Sequence, residues 1–208
     1  MLRRVKTAVM VSGSGSNLQA LIDAGKRGDT PHLDIALVIS SKKESYALKR
    51  AEQNSIPIAV VERRKYKDDI EGFERELLPW LTRYNIEFIV LAGFLTIFSK
   101  DFTRSFPGRI INVHPALIPS FCGKGLYGIK VHKAALDCGV KVSGATVHYV
   151  NEIVDGGRII LQKAIEVMED DTPEALQQRI MREAEWELLP RAAELVAAKI
   201  AEENDEGH

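Results

Sequence analysis

The sequence predicts an α/β fold: a doubly wound, mostly parallel sheet with an antiparallel C-terminal extension and terminal helices. Three observations carry that expectation. Between Val5 and Pro115, short apolar runs alternate with stretches of helical spacing. The runs lack polar alternation, as do strands buried on both faces of a parallel sheet. After Pro115 two long β-rich runs follow one another, and a strong helix start comes next.

The elements follow in order. Residues 5–11 (VKTAVMV) form an apolar run ending in a serine–glycine turn, and Leu18, Leu21, Ile22 and Gly25 then recur at helical spacing. Residues 34–40 (DIALVIS) read as the second strand, and Ala47, Leu48 and Ala51 mark the next helix. Residues 56–61 (IPIAVV) read as strand, ahead of a helix over about 68–84. Residues 88–93 (FIVLAG) and 109–115 (RIINVHP) complete the parallel set. Residues 143–150 (SGATVHYV) and 157–167 (GRIILQKAIEV) suit an antiparallel pair or a looped connection appended to the sheet. Thr172, Pro173 and Glu174 supply a cap, a first-turn proline and an acid near the positive end of a helix. Leu176, Ile180, Ala184 and Leu188 run along one face of it. Pro190 predicts a kink or break there, with a last helix over about 191–203 and a frayed tail over 204–208. No repeat, low-complexity block or linker interrupts the chain, so residues 1–208 read as one domain.

Composition narrows the function classes. With 45% hydrophobic and 27% charged residues over 208 positions, the chain has the balance of a globular protein with a full core. A net charge of -1 gives no reason to expect nucleic acid or a membrane surface as partner. Its 2 cysteines, Cys122 and Cys138, have no metal-like spacing and fit a reducing compartment. The basic N-terminus leads into an apolar run too short for a secretory signal, and no segment reaches membrane-spanning length, so the cytoplasm is the expected location.

Two patterns point to chemistry. The first is Ser12-Gly13-Ser14-Gly15-Ser16-Asn17, between strand and helix. Small residues let backbone amides approach an anion, and the helix dipole favours negative charge there. The third glycine of a dinucleotide fingerprint is replaced by Leu18, and no Gly-Lys-Ser/Thr follows, so a single terminal phosphate suits the turn best. The same turn also suits a plain connection with Ser16 or Asn17 capping the helix. The second pattern is Asn112-Val113-His114 at a strand end, where both polar side chains share one face. Imidazole takes and gives protons near neutrality, and an amide can stabilise an oxygen gaining charge. Pro115 and Pro119 stiffen the exit. Asp155, ahead of Gly156 and Gly157, suits a turn aspartate as well as an acid that orients a histidine. A hydrogen-bonded core histidine is an equal reading of His114 taken alone.

The set GSGSNLQAL, VLAGFL, INVHPALIPSF, GATVHYV, DGG with IILQ, and EAEWELLP resembles the phosphoribosylglycinamide formyltransferase (glycinamide ribonucleotide transformylase) family, in the family's order over about residues 5–195. The resemblance implies a Rossmann-like formyltransferase fold. It also implies transfer of a formyl group from N10-formyltetrahydrofolate, as co-substrate, to the amine of glycinamide ribonucleotide in purine synthesis. It makes Asn112, His114 and Asp155 the catalytic trio, and gives Gly15, Ser16, Asn17, Arg182 and Glu185 to the ribonucleotide. Leu95, Thr96, Ile97, Phe98, Val150 and Asp155 would meet the folate. The implied enzyme uses no metal, binds neither nucleic acid nor membrane, and is a monomer or weak homodimer.

Two departures stand out. The family's AGFMRIL is AGFLTIF here, so Thr96 replaces an arginine, and Arg63, Arg64, Lys65 and Lys67 are the candidates to supply its charge. The loop over 123–128 is longer than the pattern. Formyltetrahydrofolate deformylase would place a second histidine where Pro115 stands, and methionyl-tRNA formyltransferase would need a nucleic-acid-binding C-terminal domain. A phosphosugar-binding protein using only the Ser-Gly turn is the non-enzymatic alternative. It is separated from the others by whether His114 meets Asp155 beside that turn.

Overall fold

The computed structural model describes residues 2–205, excepting the side chains of residues 204 and 205. Seven strands form one sheet in the order β3-β2-β1-β4-β5-β6-β7. They are β1 (Val5–Val11), β2 (Leu33–Ser40), β3 (Ile58–Val60), β4 (Phe88–Leu91), β5 (Ile110–His114), β6 (Val142–Tyr149) and β7 (Ile159–Glu166). The pairs among β1 to β5 are parallel, while β5–β6 and β6–β7 are antiparallel. The doubly wound sheet with an antiparallel extension is the architecture the sequence predicts. Of the two alternatives for residues 143–167, the antiparallel pair is the one formed.

Alternation along each strand divides the core. Val5, Val9 and Val11 of β1, Val38 of β2, Phe88 and Val90 of β4, and Ile111 and Val113 of β5 face one way. Helices α1 (Ser16–Arg27), α2 (Tyr46–Gln53), α6 (Pro173–Ile180) and α7 (Trp186–Asp205) cover that side. Ala8, Met10, Leu37, Ile39, Ile89, Leu91 and Ile110 face the other way, under α3 (Ile70–Arg83) and α4 (Lys100–Ser105). On that second side a row of rings runs Tyr66, Phe73, Phe94, Phe98, Phe102, Phe106, with successive centroids 5.8, 6.3, 5.6, 4.3 and 5.3 Å apart. The row anchors the segment after β4, which becomes a wall of the candidate site.

Helix α4 and helix α5 (Ile129–Cys138) were not expected from the sequence. The former is only six residues long. The latter starts from Gly128 at φ 54° with no capping side chain, so it lacks a start signal. The break expected at Pro190 lies elsewhere: α7 runs unbroken through Pro190 as far as Asp205, and residues 206–208 of the expected frayed tail lie outside the described residues. The irregularity is instead a widened π turn, Met181–Glu185, immediately upstream. Proline crowds the carbonyl four residues before it, here that of Trp186, where the π turn hands over to α7. The helix therefore distorts before the proline and not at it. Among the described residues, no helix is long and apolar enough to cross a membrane.

Phe73 is fully buried between Tyr66 and Phe94 in the aromatic row. Phe73→Ala is expected to cost about 3–5 kcal/mol of stability, read as a lower urea midpoint at an unchanged slope.

Candidate active site

The sheet reverses its winding between β1 and β4, and a cavity of about 590 Å³ opens at the carboxyl ends of these strands. This is where doubly wound sheets bind ligands. Three walls come from the turn after β1 (residues 13–17), the segment after β4 (residues 91–98) and the end of β5 (residues 112–115). The remaining walls are the glycine loop over 123–128, His132 of α5, the β6–β7 connection over 150–155, and Gln177, Met181 and Glu185.

The first turn is held from behind. Ser45 Oγ and the Ala47 amide donate to the Gly13 carbonyl at 2.8 and 3.2 Å, and Arg50 Nε donates to the Ser14 carbonyl at 2.9 Å. Gly15 sits at the N-cap position of α1 with φ 73°, and a Cβ there would lie 2.5 Å from Cβ of Ala47. Both the left-handed backbone and the close approach require glycine. Neither Ser16 nor Asn17 caps the helix, and their first-turn amides have no carbonyl one turn back. The Asn17 side chain is directed elsewhere: its Nδ2 donates to Glu185 Oε2 at 2.6 Å, while its Oδ1 is buried without a partner among the described residues. Glu185 is itself buried, which pushes its carboxyl above the usual range, with the Asn17 bond pulling the other way. Arg182, one turn earlier, is exposed and is not among the residues lining the cavity.

At the other end of the cavity, His114 Nδ1 lies 3.7 Å from Asp155 Oδ2. Asp155 is carried by the β6–β7 connection and has φ 54°. That connection is closed by Tyr149 N donating to the Arg158 carbonyl at 2.9 Å. A Cβ at Gly157 would come within 1.7 Å of the Tyr149 carbonyl oxygen, so only glycine permits this closure. The loop after β5 reaches the same groups. His114 Nε2 bonds the Phe121 carbonyl at 2.9 Å, and the Gly123 amide donates to Asp155 Oδ2 at 2.8 Å. His114 and Asp155 are therefore paired, Asn112 reaches Asp155 by way of His148, and all three line the cavity that the turn over 13–17 also lines.

Two residues of the site carry no assignment from the sequence. His148 of β6 lies directly opposite Asn112 in the antiparallel register. Its Nε2 is 3.2 Å from Asn112 Nδ2 and 3.7 Å from Asp155 Oδ1. Burial holds its pKa below the usual imidazole value, against the Tyr149 carbonyl and Asp155, which favour the charged ring. His132 is 1% exposed, and neither ring nitrogen has a hydrogen-bond partner among the described residues. Burial, with His114 nearby, lowers its pKa to about 4. The signal for His148 was Thr146-x-His148 in a run otherwise apolar on that face, echoing Asn112-x-His114 on the neighbouring strand. For His132 no sequence signal stands out.

Leu95 and Ile97 are each 54% exposed, an unusual state for such side chains at a cavity wall, and Thr96 lies half-buried between them. Phe98 is buried within the aromatic row but still lines the cavity, as does Val150. A second cavity of about 380 Å³ shares Leu95 and Thr96 with the first and is lined by Lys42, Arg63 and Arg64 together with Glu44 and Glu62, the latter paired with Arg64 at 2.6 Å. Lys65 and Lys67 line neither cavity.

The chain matches the family model described as formyl transferase over residues 5–193. It is 42% identical to the chloroplastic phosphoribosylglycinamide formyltransferase of Arabidopsis thaliana over 87% of this chain, but it spans only 62% of that protein's length. It is 40% identical to phosphoribosylglycinamide formyltransferase of Haemophilus influenzae, covering 89% of this chain and 84% of the relative. Among solved structures, glycinamide ribonucleotide transformylase 1 from Symbiobacterium toebii superposes with a TM-score of 0.86 at 37% identity, covering 94% of this chain and 89% of that one.

The buried His132 makes stability depend on pH. Its folded pKa lies below the unfolded 6.5, so the unfolded chain binds the proton first as pH falls. The neutral ring's contribution is complete above 6.5 and is lost progressively towards about 4. His132→Leu is therefore expected to gain urea resistance relative to the unmodified protein between about pH 7 and about pH 4.5. Parallel pH profiles of the two midpoints would count against it.

Proposed function

The chain belongs to the formyl transferase family, and we propose that it transfers the formyl group of N10-formyltetrahydrofolate to the amine of glycinamide ribonucleotide, as in purine synthesis. The observation that carries this reading is the pairing of His114 with Asp155 in a cavity that Asn112 and the turn over 13–17 also line. The named relatives support the choice of substrates.

In this reading the ribonucleotide phosphate sits at the start of α1, against the backbone amides of Gly15, Ser16 and Asn17. Because its side chain is committed to Glu185, Asn17 acts there through its main chain. Glu185 is left to meet the ribose or the glycinamide end. The pterin lies against Leu95, Ile97, Phe98 and Val150, with its acidic tail directed past Thr96 towards Arg63 and Arg64. In this second cavity Arg64 is paired with Glu62, so Arg63 is the proposed compensation for the missing arginine.

The amine attacks the formyl carbon, and the carbonyl oxygen gains charge in a tetrahedral intermediate. Asn112 donates to that oxygen through Nδ2. His114 donates through Nε2, which exchanges the Phe121 carbonyl for the developing oxygen. One well-placed donor of this kind is worth about 3 kcal/mol. The proton that the amine loses passes by way of Asp155 to folate N10, and the C–N bond to the folate breaks. No step of this route calls for a metal. Binding both substrates in one cavity removes much of the entropic cost of their encounter.

The direct test is turnover of 10-formyl-5,8-dideazafolate with and without glycinamide ribonucleotide. Release of deformylated folate only in the presence of the amine supports transfer, and amine-independent release would indicate hydrolysis instead. His114→Ala is expected to lower kcat by about 10²–10⁴-fold while ribonucleotide still binds, as measured by calorimetry. Gly15→Ala is expected to act in the opposite sense, raising KM for the ribonucleotide about tenfold or more, since the new Cβ must displace the turn from Ala47.

A further inference from the structure

Asn112 serves the proposed reaction only if its amide presents N–H, and not carbonyl oxygen, to the cavity. Nothing in Asn112 itself enforces that orientation. His148 does. Its Nδ1 lies 2.8 Å from the Tyr149 carbonyl oxygen, which can only accept, so Nδ1 carries the proton. The ring is 2% exposed in its side chain, and burial favours the neutral form. In a neutral ring protonated at Nδ1, Nε2 is a bare acceptor, and the group facing it at 3.2 Å must donate. Asn112 Nδ2 does so with one of its two N–H bonds. Turning the amide over would set two acceptors against each other. The second N–H of Nδ2 then remains for the cavity.

We infer that His148 is a positioning residue, whose backbone-locked tautomer fixes the Asn112 amide with its donor towards the reacting formyl oxygen. The strand register makes the arrangement rigid, because Asn112 and His148 are cross-strand partners on one face. His148 Nε2 also lies 3.7 Å from Asp155 Oδ1, while Asp155 Oδ2 faces His114. One carboxylate thus stands between two imidazoles. The two rings differ in kind: His148 has its Nδ1 anchored by the main chain, whereas His114 turns Nδ1 to the acid.

This inference rests on the transfer reaction proposed above, and the test separates the two. With the kinetic pair of glycinamide ribonucleotide and 10-formyl-5,8-dideazafolate, His148→Leu is expected to lower kcat by about 10²–10³-fold, with both KM values changing less than about twofold. His148→Gln can place its Oε1 near the lost Nε2 and is expected to recover about tenfold or more of that loss. In an Asn112→Ala background, His148→Leu is expected to cost less than about twofold further, because the residue through which it acts is gone. Independent, multiplying losses, or a Gln variant no better than Leu, would overturn the assignment. A second measurement does not depend on turnover or on how the variants fold. Imidazole 15N spectra of the unmodified protein near neutral pH should show His148 protonated at Nδ1 and bare at Nε2. A ring protonated at Nε2 overturns the inference outright. Absence of any formyl transfer by the unmodified protein would refute the functional reading while leaving the tautomer measurement intact.

Discussion

The antiparallel pairing of β5 with β6 is the constraint on which the site depends. It sets Asn112 against His148 and His114 against Thr146, with all four on one face of the sheet. A slip of one residue would turn half of these side chains into the opposite core. On the neighbouring face, Ile111, Val113, Ala145 and Val147 are packed under the α7 side, which makes any such slip costly. The same apolar packing that stabilises the sheet therefore fixes the polar register. Thr146 adds a bolt: its hydroxyl donates to the Ala116 carbonyl at 2.7 Å and accepts from the Ile118 amide at 3.0 Å, so the chain leaving His114 follows a set path.

Around this pairing, main-chain groups do most of the orienting. The Phe121 carbonyl holds His114, the Tyr149 carbonyl holds His148, and the Gly123 amide holds Asp155. Backbone partners cost less conformational entropy to order than long side chains do. They also fix protonation sites, since a carbonyl accepts and an amide donates. At the opposite end of the cavity the same principle applies to an anion, with α2 pinning the Gly13 and Ser14 carbonyls from behind. The π turn, Met181–Glu185, brings Glu185 to Asn17 at that end, and such turns recur at functional sites.

Much of this was legible in the sequence because the signals are local. Wholly apolar runs gave the parallel strands, and Thr172 and Pro173 gave the start of α6, where Thr172 does accept from the Ala175 amide at 3.2 Å. What escaped was set by tertiary context. Helix α5 has no capping residue, α4 is too short for periodicity, and the distortion near Pro190 depends on where the helix can yield. His148 and His132 escaped for a related reason. A histidine declares a role only through what lies opposite it, and neither cross-strand register nor the wall of a cavity is written in a single segment.

Asp155 holds φ at 54°, a region where residues with a Cβ are disfavoured by roughly 1 kcal/mol or more relative to glycine. Gly156 and Gly157 after it are there for a different reason, since a Cβ at either would run into Ile153 or the Tyr149 carbonyl. The carboxylate is thus kept against the preference of the backbone that carries it. What offsets that preference is the company the side chain keeps: Oδ2 accepts the Gly123 amide at 2.8 Å, and the two oxygens face the His114 and His148 rings. A glycine at position 155 would thus relax one residue of backbone and leave the Gly123 amide to find another acceptor, a local exchange of strain for an unmet donor.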